Sequence, residues 1–255
     1  MNKPIPSRMV TKPPPPFVRS TVIDSWRRTP RLTMITVEGN GIGAMVPANP
    51  GASIRLLLPR GHAAHPLEMP THDGNAFRYA DGELSTARTL TPMSAGHPNR
   101  MLLGVVDHGA GRLSKWLGEL EGGRAVALSG PGPAYSIDTS AHRYLIAGDE
   151  SAIPAIIQLL AAMPAGIETE VCIEVAAPEA RIDLEADGAA RITWTHLPPG
   201  ADPSSTLVDW VSAQTITDQT RLWVAGEAAA VQKIRKLDGL PRDQANIRGY
   251  WKRRG

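Results

Sequence analysis

Four short stretches of this 255-residue chain carry residue types that suit the capture of an anion. Two are strand-turn-helix junctions, HRYLIAGDESAIPAIIQLL at 142–160 and RLWVAGEAAAVQKIRKL at 221–237. Each runs from an apolar β-rich stretch through Ala-Gly-acid into a helix-forming run. The candidate ligand contacts are Gly148, Asp149 and Ser151 in the first turn, and Gly226 and Glu227 in the second. At the carboxyl edge of a parallel sheet, a helix N-terminus presents unpaired amides and a dipole that favour a phosphate. Neither junction contains G-x-G-x-x-G, so a dinucleotide needs support from elsewhere in the chain. The acids Asp149 and Glu150 also oppose an incoming phosphate, unless Asp149 caps the helix while Ser151 and the following amides face the ligand. Arg181 is a candidate for a 2′-phosphate, or an ordinary surface arginine.

The other two stretches lie earlier. Arg88, in ARTLTPMS, sits on an expected strand beside Thr89 and Thr91, and an arginine fork can hold a phosphate through two parallel hydrogen bonds. In DHGAGRLSKWL, Gly109 and Gly111 precede a helix and would let the amides of Arg112, Leu113 and Ser114 approach a ligand closely. A cationic tail, RGYWKRRG, adds Arg248, Lys252, Arg253 and Arg254 with no acid; Tyr250 and Trp251 could anchor it. No catalytic triad or paired-carboxylate arrangement is present, and no histidine spacing suggests a metal site.

The elements that must position these residues follow from periodicity. Six β-rich runs with Gly/Pro punctuation fill the first half, which predicts an antiparallel six-stranded β-barrel. The second half alternates strands and helices and predicts a mostly parallel α/β domain, so the fold class is all-β plus α/β. Expected boundaries are a Pro-rich tail over 1–16, the barrel over 17–137 and the α/β domain over 138–255. Residues 152–163 are apolar nearly all round and predict a buried helix. The polar stretch 60–86 is a long loop with a role or without order. Net charge is +2, which gives no general argument for nucleic acid. The single cysteine, Cys172, rules out an internal disulfide and fits a reducing cytoplasm. No signal peptide or membrane-length apolar run is visible.

The stretches VDHGAGRLSKWL, SGPGPAYSID, AGDESAIPAI, LWVAGEAAAVQKIRK and RGYWKRRG, in this order, resemble the siderophore-interacting proteins. These are flavin-dependent ferric-siderophore reductases of the ferredoxin-reductase-like superfamily. The resemblance spans about Phe17 to the C-terminus and implies an FAD-binding barrel followed by a nicotinamide-binding domain. It implies electron flow from NADPH or NADH through FAD to ferric iron in a siderophore; the expected partner is the ferric siderophore, with no nucleic acid, no stable membrane association and no protein partner required. Arg88 and Thr91 match the family's R-x-Y-T motif, which would put Arg88 on the FAD phosphates and Thr91 against the isoalloxazine. His108, Gly109, Gly111 and Ser114 match its pyrophosphate loop, with Arg112 and Leu113 between them. Tyr135 would stack on the cofactor or pack in the domain seam. Arg248, Lys252 and Arg253 would attract the anionic iron chelate. Leu90 stands where the family has tyrosine, and Met93 where an arginine commonly follows, which predicts weaker FAD retention or a shifted potential. The competing readings are a general flavin reductase or electron-transfer partner, and a non-enzymatic siderophore-binding protein.

Overall fold

The computed structural model describes residues 17–60, 68–73, 75–107, 109, 111–120, 122–184 and 190–253. The Pro-rich tail and His108 therefore lie outside the described residues.

The first half folds as β1 (Phe17–Arg27), β2 (Leu32–Glu38), β3 (Ile54–Leu57), a small hairpin β4 (Thr71–His72) and β5 (Phe77–Arg78), then β6 (Ala87–Leu90), β7 (Pro92–Ser94), β8 (Arg100–Val106), α1 (Gly111–Gly118) and β9 (Ala125–Ser129). Seven of these strands form one antiparallel sheet in the order β6-β3-β9-β1-β2-β8-β7. The run 87–94, which reads as one strand, is two. β6 bonds to β3 at one edge of the sheet and β7 bonds to β8 at the other. The break at Thr91 thus brings the edges together, and the sheet closes as a barrel. Pro92 sits at the restart, where the missing N–H costs no ladder bond. Inside, Ile35, Val37, Leu56, Leu103 and Val126 are fully buried, and Trp116 of α1 packs onto the same core.

The stretch expected as a loop folds back over the barrel among its described residues. Arg60 bonds Glu68, Asp81 and Glu83, and the Tyr79 hydroxyl donates to the Leu58 carbonyl at 2.8 Å.

The second half is β10 (Arg143–Asp149), α2 (Ile153–Ala162), β11 (Glu168–Val175), β12 (Ala190–His196), α3 (Ser205–Ser212), β13 (Thr220–Glu227), α4 (Ala228–Arg235) and β14 (Ala245–Trp251). Its five strands run in the order β12-β11-β10-β13-β14, every pair parallel. Strand order reverses between β10 and β13, the switch point at which open parallel sheets bind ligands.

Side chains alternate across β10, and each face has its own cover. Leu145 and Ala147 pack under α3 and α4, with Leu207, Val211, Val231 and Ile234. Ile146 packs under α2. Most of the outer side of α2 is also covered, since the same cluster takes in Leu32, Met34, Met93 and Val106 of the barrel, and only Ala161 and Ala162 at its end are exposed. This double contact explains why α2 is apolar all round. Burying each of Ile153, Ile156 and Leu159 contributes roughly 1.5–3 kcal/mol. The approach is close, since a Cβ on Gly104 of β8 would lie 2.9 Å from Cγ of Pro154.

Candidate functional site

The seam between barrel and parallel sheet holds a cavity of about 200 Å³. The barrel supplies Gly51, Ser53, Thr89, Leu90 and Thr91; β14 supplies Arg248, Gly249 and Tyr250. The cavity exists because the barrel closes at Thr91 and the last parallel strand ends against that closure. Thr91 is buried and hydrogen-bonded to the Tyr250 hydroxyl, whose ionisation burial pushes up. The Tyr250 ring stands edge-on to Trp223, centroids 6.2 Å apart.

One side chain ties two segments of the barrel wall together. From the middle of α2, Gln158 donates through Nε2 to the Pro92 carbonyl at 2.7 Å and accepts from the Gly51 amide at 3.0 Å. It therefore fixes the two barrel loops that line the cavity from the opposite domain. Sequence reasoning passed over Gln158, although a lone polar residue in IPAIIQLLAA is a visible signal.

Arg88 lies on β6 next to this cavity, half-buried, with Nη1 donating to the Ala87 carbonyl. Arg112 reaches from the start of α1 to Thr86, two residues before Arg88 in the chain, at 3.0 Å and to Glu83 at 3.0 Å. The strand arginine and the glycine turn are thus neighbours. Gly109 and Gly111 have φ of 75° and 85°, and a Cβ on either would meet nothing within 4 Å. The Gly109 amide is held by Asp107 at 2.8 Å, and the first turn of α1 contains no acid. Leu113 packs on the barrel core and Ser114 is half-buried. An open glycine turn, an arginine and a cavity at the seam are the features an elongated anionic flavin such as FAD would use. Tyr135 lies in the seam, its amide donating to the Pro50 carbonyl at 2.7 Å and its hydroxyl set on Tyr144.

The carboxyl edge of the parallel sheet is different. The Asp149 carboxylate accepts from the Ser151 amide and hydroxyl, from the Ser204 hydroxyl at 2.8 Å and from Trp251 Nε1 at 2.8 Å. Glu227 caps α4 through the amides of Ala229 and Ala230, and its other oxygen accepts from the Arg253 amide at 3.1 Å. Glu174 accepts from the amides of Ser204 and Thr206. Glu150 accepts from the Ala176 amide and lies 3.4 Å from Arg31 Nε of the barrel. All four acids are buried, and burial raises the carboxyls of Glu150 and Glu174 above the usual glutamate range. Sequence reasoning missed Glu174 and Ser204, because each sits at the end of an element whose residue pattern reports only burial.

The three tail cations are not together. Arg248 lines the seam, whereas Lys252 and Arg253 line a second cavity of about 580 Å³ bordered by α3 and α4. Arg253 approaches Asp202 at 3.7 Å. Arg181 is exposed and donates to His196. Among the described residues, no helix is long and apolar enough to cross a membrane.

Comparison with known proteins agrees with this architecture. An uncharacterized protein of Mycobacterium tuberculosis is 29% identical over 258 residues, covering 91% of this chain and 89% of that protein. Ferric vibriobactin reductase ViuB of Vibrio cholerae is 24% identical over 244 residues, covering 93% and 88%. The crystal structure of a siderophore utilization protein from T. fusca matches with a TM-score of 0.79 at 24% identity, covering 94% of each chain, and shares the fold. The family model for the siderophore-interacting FAD-binding domain matches residues 21–135, and that for the siderophore-interacting protein matches residues 141–254. With both halves matched in order, the chain belongs to the siderophore-interacting protein family.

Proposed function

We propose that this protein is an FAD-dependent oxidoreductase that delivers electrons from a reduced nicotinamide, NADH or NADPH, to ferric iron held in a siderophore. The observation that carries the reading is the seam cavity, walled by Leu90 and Thr91 on one side and by Arg248 and Tyr250 on the other. A flavin in that cavity supplies the step from two-electron to single-electron chemistry. The chain's own residues hold and orient it. Arg88 and the 109–114 turn take its phosphates, Thr91 and Leu90 support the ring, and Gln158 keeps both loops in register. Iron is the substrate, wrapped by its chelator's oxygens, and Arg248 at the cavity attracts the anionic complex. Lys252 and Arg253, at a neighbouring cavity, act only through longer-range attraction. The electron-transfer step requires no general acid or base. The relative named as a ferric vibriobactin reductase supports the substrate class.

Turnover of a ferric siderophore, free flavin and a cytochrome under one nicotinamide donor tests the reading. Preferential reduction of the ferric siderophore is expected; equal or faster reduction of free flavin would favour a general flavin reductase. A second reading draws on Tyr250 and Leu90. Tyr250 already bonds Thr91, and the remaining space is below the roughly 300–1,000 Å³ usual for small-molecule pockets. A protein that binds ferric siderophore yet takes up no FAD would be a non-enzymatic carrier.

A further inference from the structure

Resting on the reading that a reduced nicotinamide feeds the flavin, we propose that this chain recognises its donor through the nicotinamide-riboside half alone. The pyrophosphate and the adenosine half remain uncontacted. In a doubly wound sheet, a dinucleotide lays its pyrophosphate on the amides where the first strand enters its helix. Here that edge is already filled by the chain's own anions. Asp149 takes the Ser151 amide at the start of the α2 turn, and Glu227 takes the Ala229 and Ala230 amides at the start of α4. The loops between are used in the same way, the Ala176 amide by Glu150 and the Ser204 and Thr206 amides by Glu174. At the junction of the first strand with its helix, Asp149 therefore takes an amide that a phosphate oxygen would otherwise accept from.

Space agrees with charge. A Cβ on Gly226 would lie 2.8 Å from the Ser204 hydroxyl and 3.0 Å from Asp149 Oδ2, so the gap left by this glycine holds protein atoms. The cleft lined by Asp149, Glu150, Glu174 and Trp251 is about 70 Å³, room for a few waters. A pyrophosphate placed there would face three buried carboxylates, Asp149, Glu150 and Glu174, against the cation Arg31, which already pairs with Glu150, and water screens little there. The barrel turn differs in degree: Asp107 takes the Gly109 amide and Glu83 pairs with Arg112, but the first turn of α1 itself contains no acid. Among the described residues, the α1 turn is thus less filled by the chain's own carboxylates than the edge of the parallel sheet. Nicotinamide and its ribose can still approach the seam, because the cavity at Thr91 and Tyr250 lies on the barrel side of the sheet.

The test uses the full chain loaded with FAD under anaerobic conditions, with NADH, NADPH and reduced nicotinamide mononucleotide as donors. In parallel, ADP-ribose and its 2′-phosphate are titrated by calorimetry. Flavin bleaching at subsaturating donor should agree within about threefold between NADH and NADPH, and within about tenfold for the mononucleotide, since the missing half adds little binding energy. Neither ADP-ribose compound should bind more tightly than about millimolar. A mononucleotide slower by more than about 100-fold, or either ADP-ribose compound binding at about 10 μM or tighter, would overturn the proposal. If dithionite reduces the flavin and no nicotinamide does, the donor reading falls alone, and the calorimetry still decides whether this edge accepts a pyrophosphate.

Discussion

Replacing Gln158 with leucine removes the side chain that ties the two barrel segments beside the seam cavity to α2. The Pro92 carbonyl loses its 2.7 Å donor and the Gly51 amide its 3.0 Å acceptor, while the volume of the side chain hardly changes. Two neutral hydrogen bonds are worth about 1 kcal/mol each, and an orphaned group kept from water costs up to about 3 kcal/mol, so a loss of roughly 2–4 kcal/mol is expected. For a chain of this size each kcal/mol lowers Tm by about 2–4 °C, which predicts a fall of roughly 4–16 °C by calorimetry. The loops at Gly51 and Thr91 must then be re-ordered when the flavin binds. If that costs about 1–2 kcal/mol, the FAD Kd rises by about five- to thirtyfold, measurable by quenching of flavin fluorescence. A Gln158→Leu protein with unchanged Tm and unchanged FAD affinity would refute the assignment of Gln158 to positioning the cavity.

Three further perturbations address other parts of the site. Burial holds the Glu150 carboxyl above the ordinary glutamate range, so the native state binds more protons than the unfolded chain as pH rises through that window. Wild-type stability must therefore fall across it, and Glu150→Gln should gain on wild type in urea melts as pH is raised above the ordinary glutamate range; a relative loss would contradict the burial argument. Leu90→Tyr should tighten FAD by about two- to twelvefold, from a stacking contribution of roughly 0.5–1.5 kcal/mol, and unchanged affinity and potential would count against any role for Leu90 at the ring. Arg248→Ala should raise KM for an anionic ferric catecholate more than for a neutral ferric hydroxamate. Lys252→Ala should do so more weakly and lose its effect at high salt; equal effects on both chelates would remove the steering role.

The two-part architecture was legible because each half has its own period: short β runs before residue 130, strand-helix alternation after residue 142. The all-round apolar character of α2 announced burial on two sides. What it packed against was not announced, since contact with Leu32 and Met93 arises only from the docking of the halves. The split of 87–94 into two strands was equally hidden. Local propensity there is uniformly extended, and the break at Thr91 is imposed by barrel closure. The junction motifs at 148–151 and 226–227 were found at once, and they pointed to a phosphate because glycine before a helix usually does. Their use here depends on Glu174 and Ser204, distant in sequence, which convert that edge into a self-satisfied network. The tail shows the same limit: RGYWKRRG reads as one cationic patch, but β14 ends between Arg248 and Lys252 and sends them to different cavities.

A crystal structure of the protein grown with FAD tests the central claim most directly. The account predicts the isoalloxazine in the seam, against Thr91 and Leu90, with Tyr250 beside it and the phosphates on Arg88 and the 109–114 turn. Flavin bound elsewhere, with Tyr250 still on Thr91 and the cavity closed by protein side chains, would contradict it.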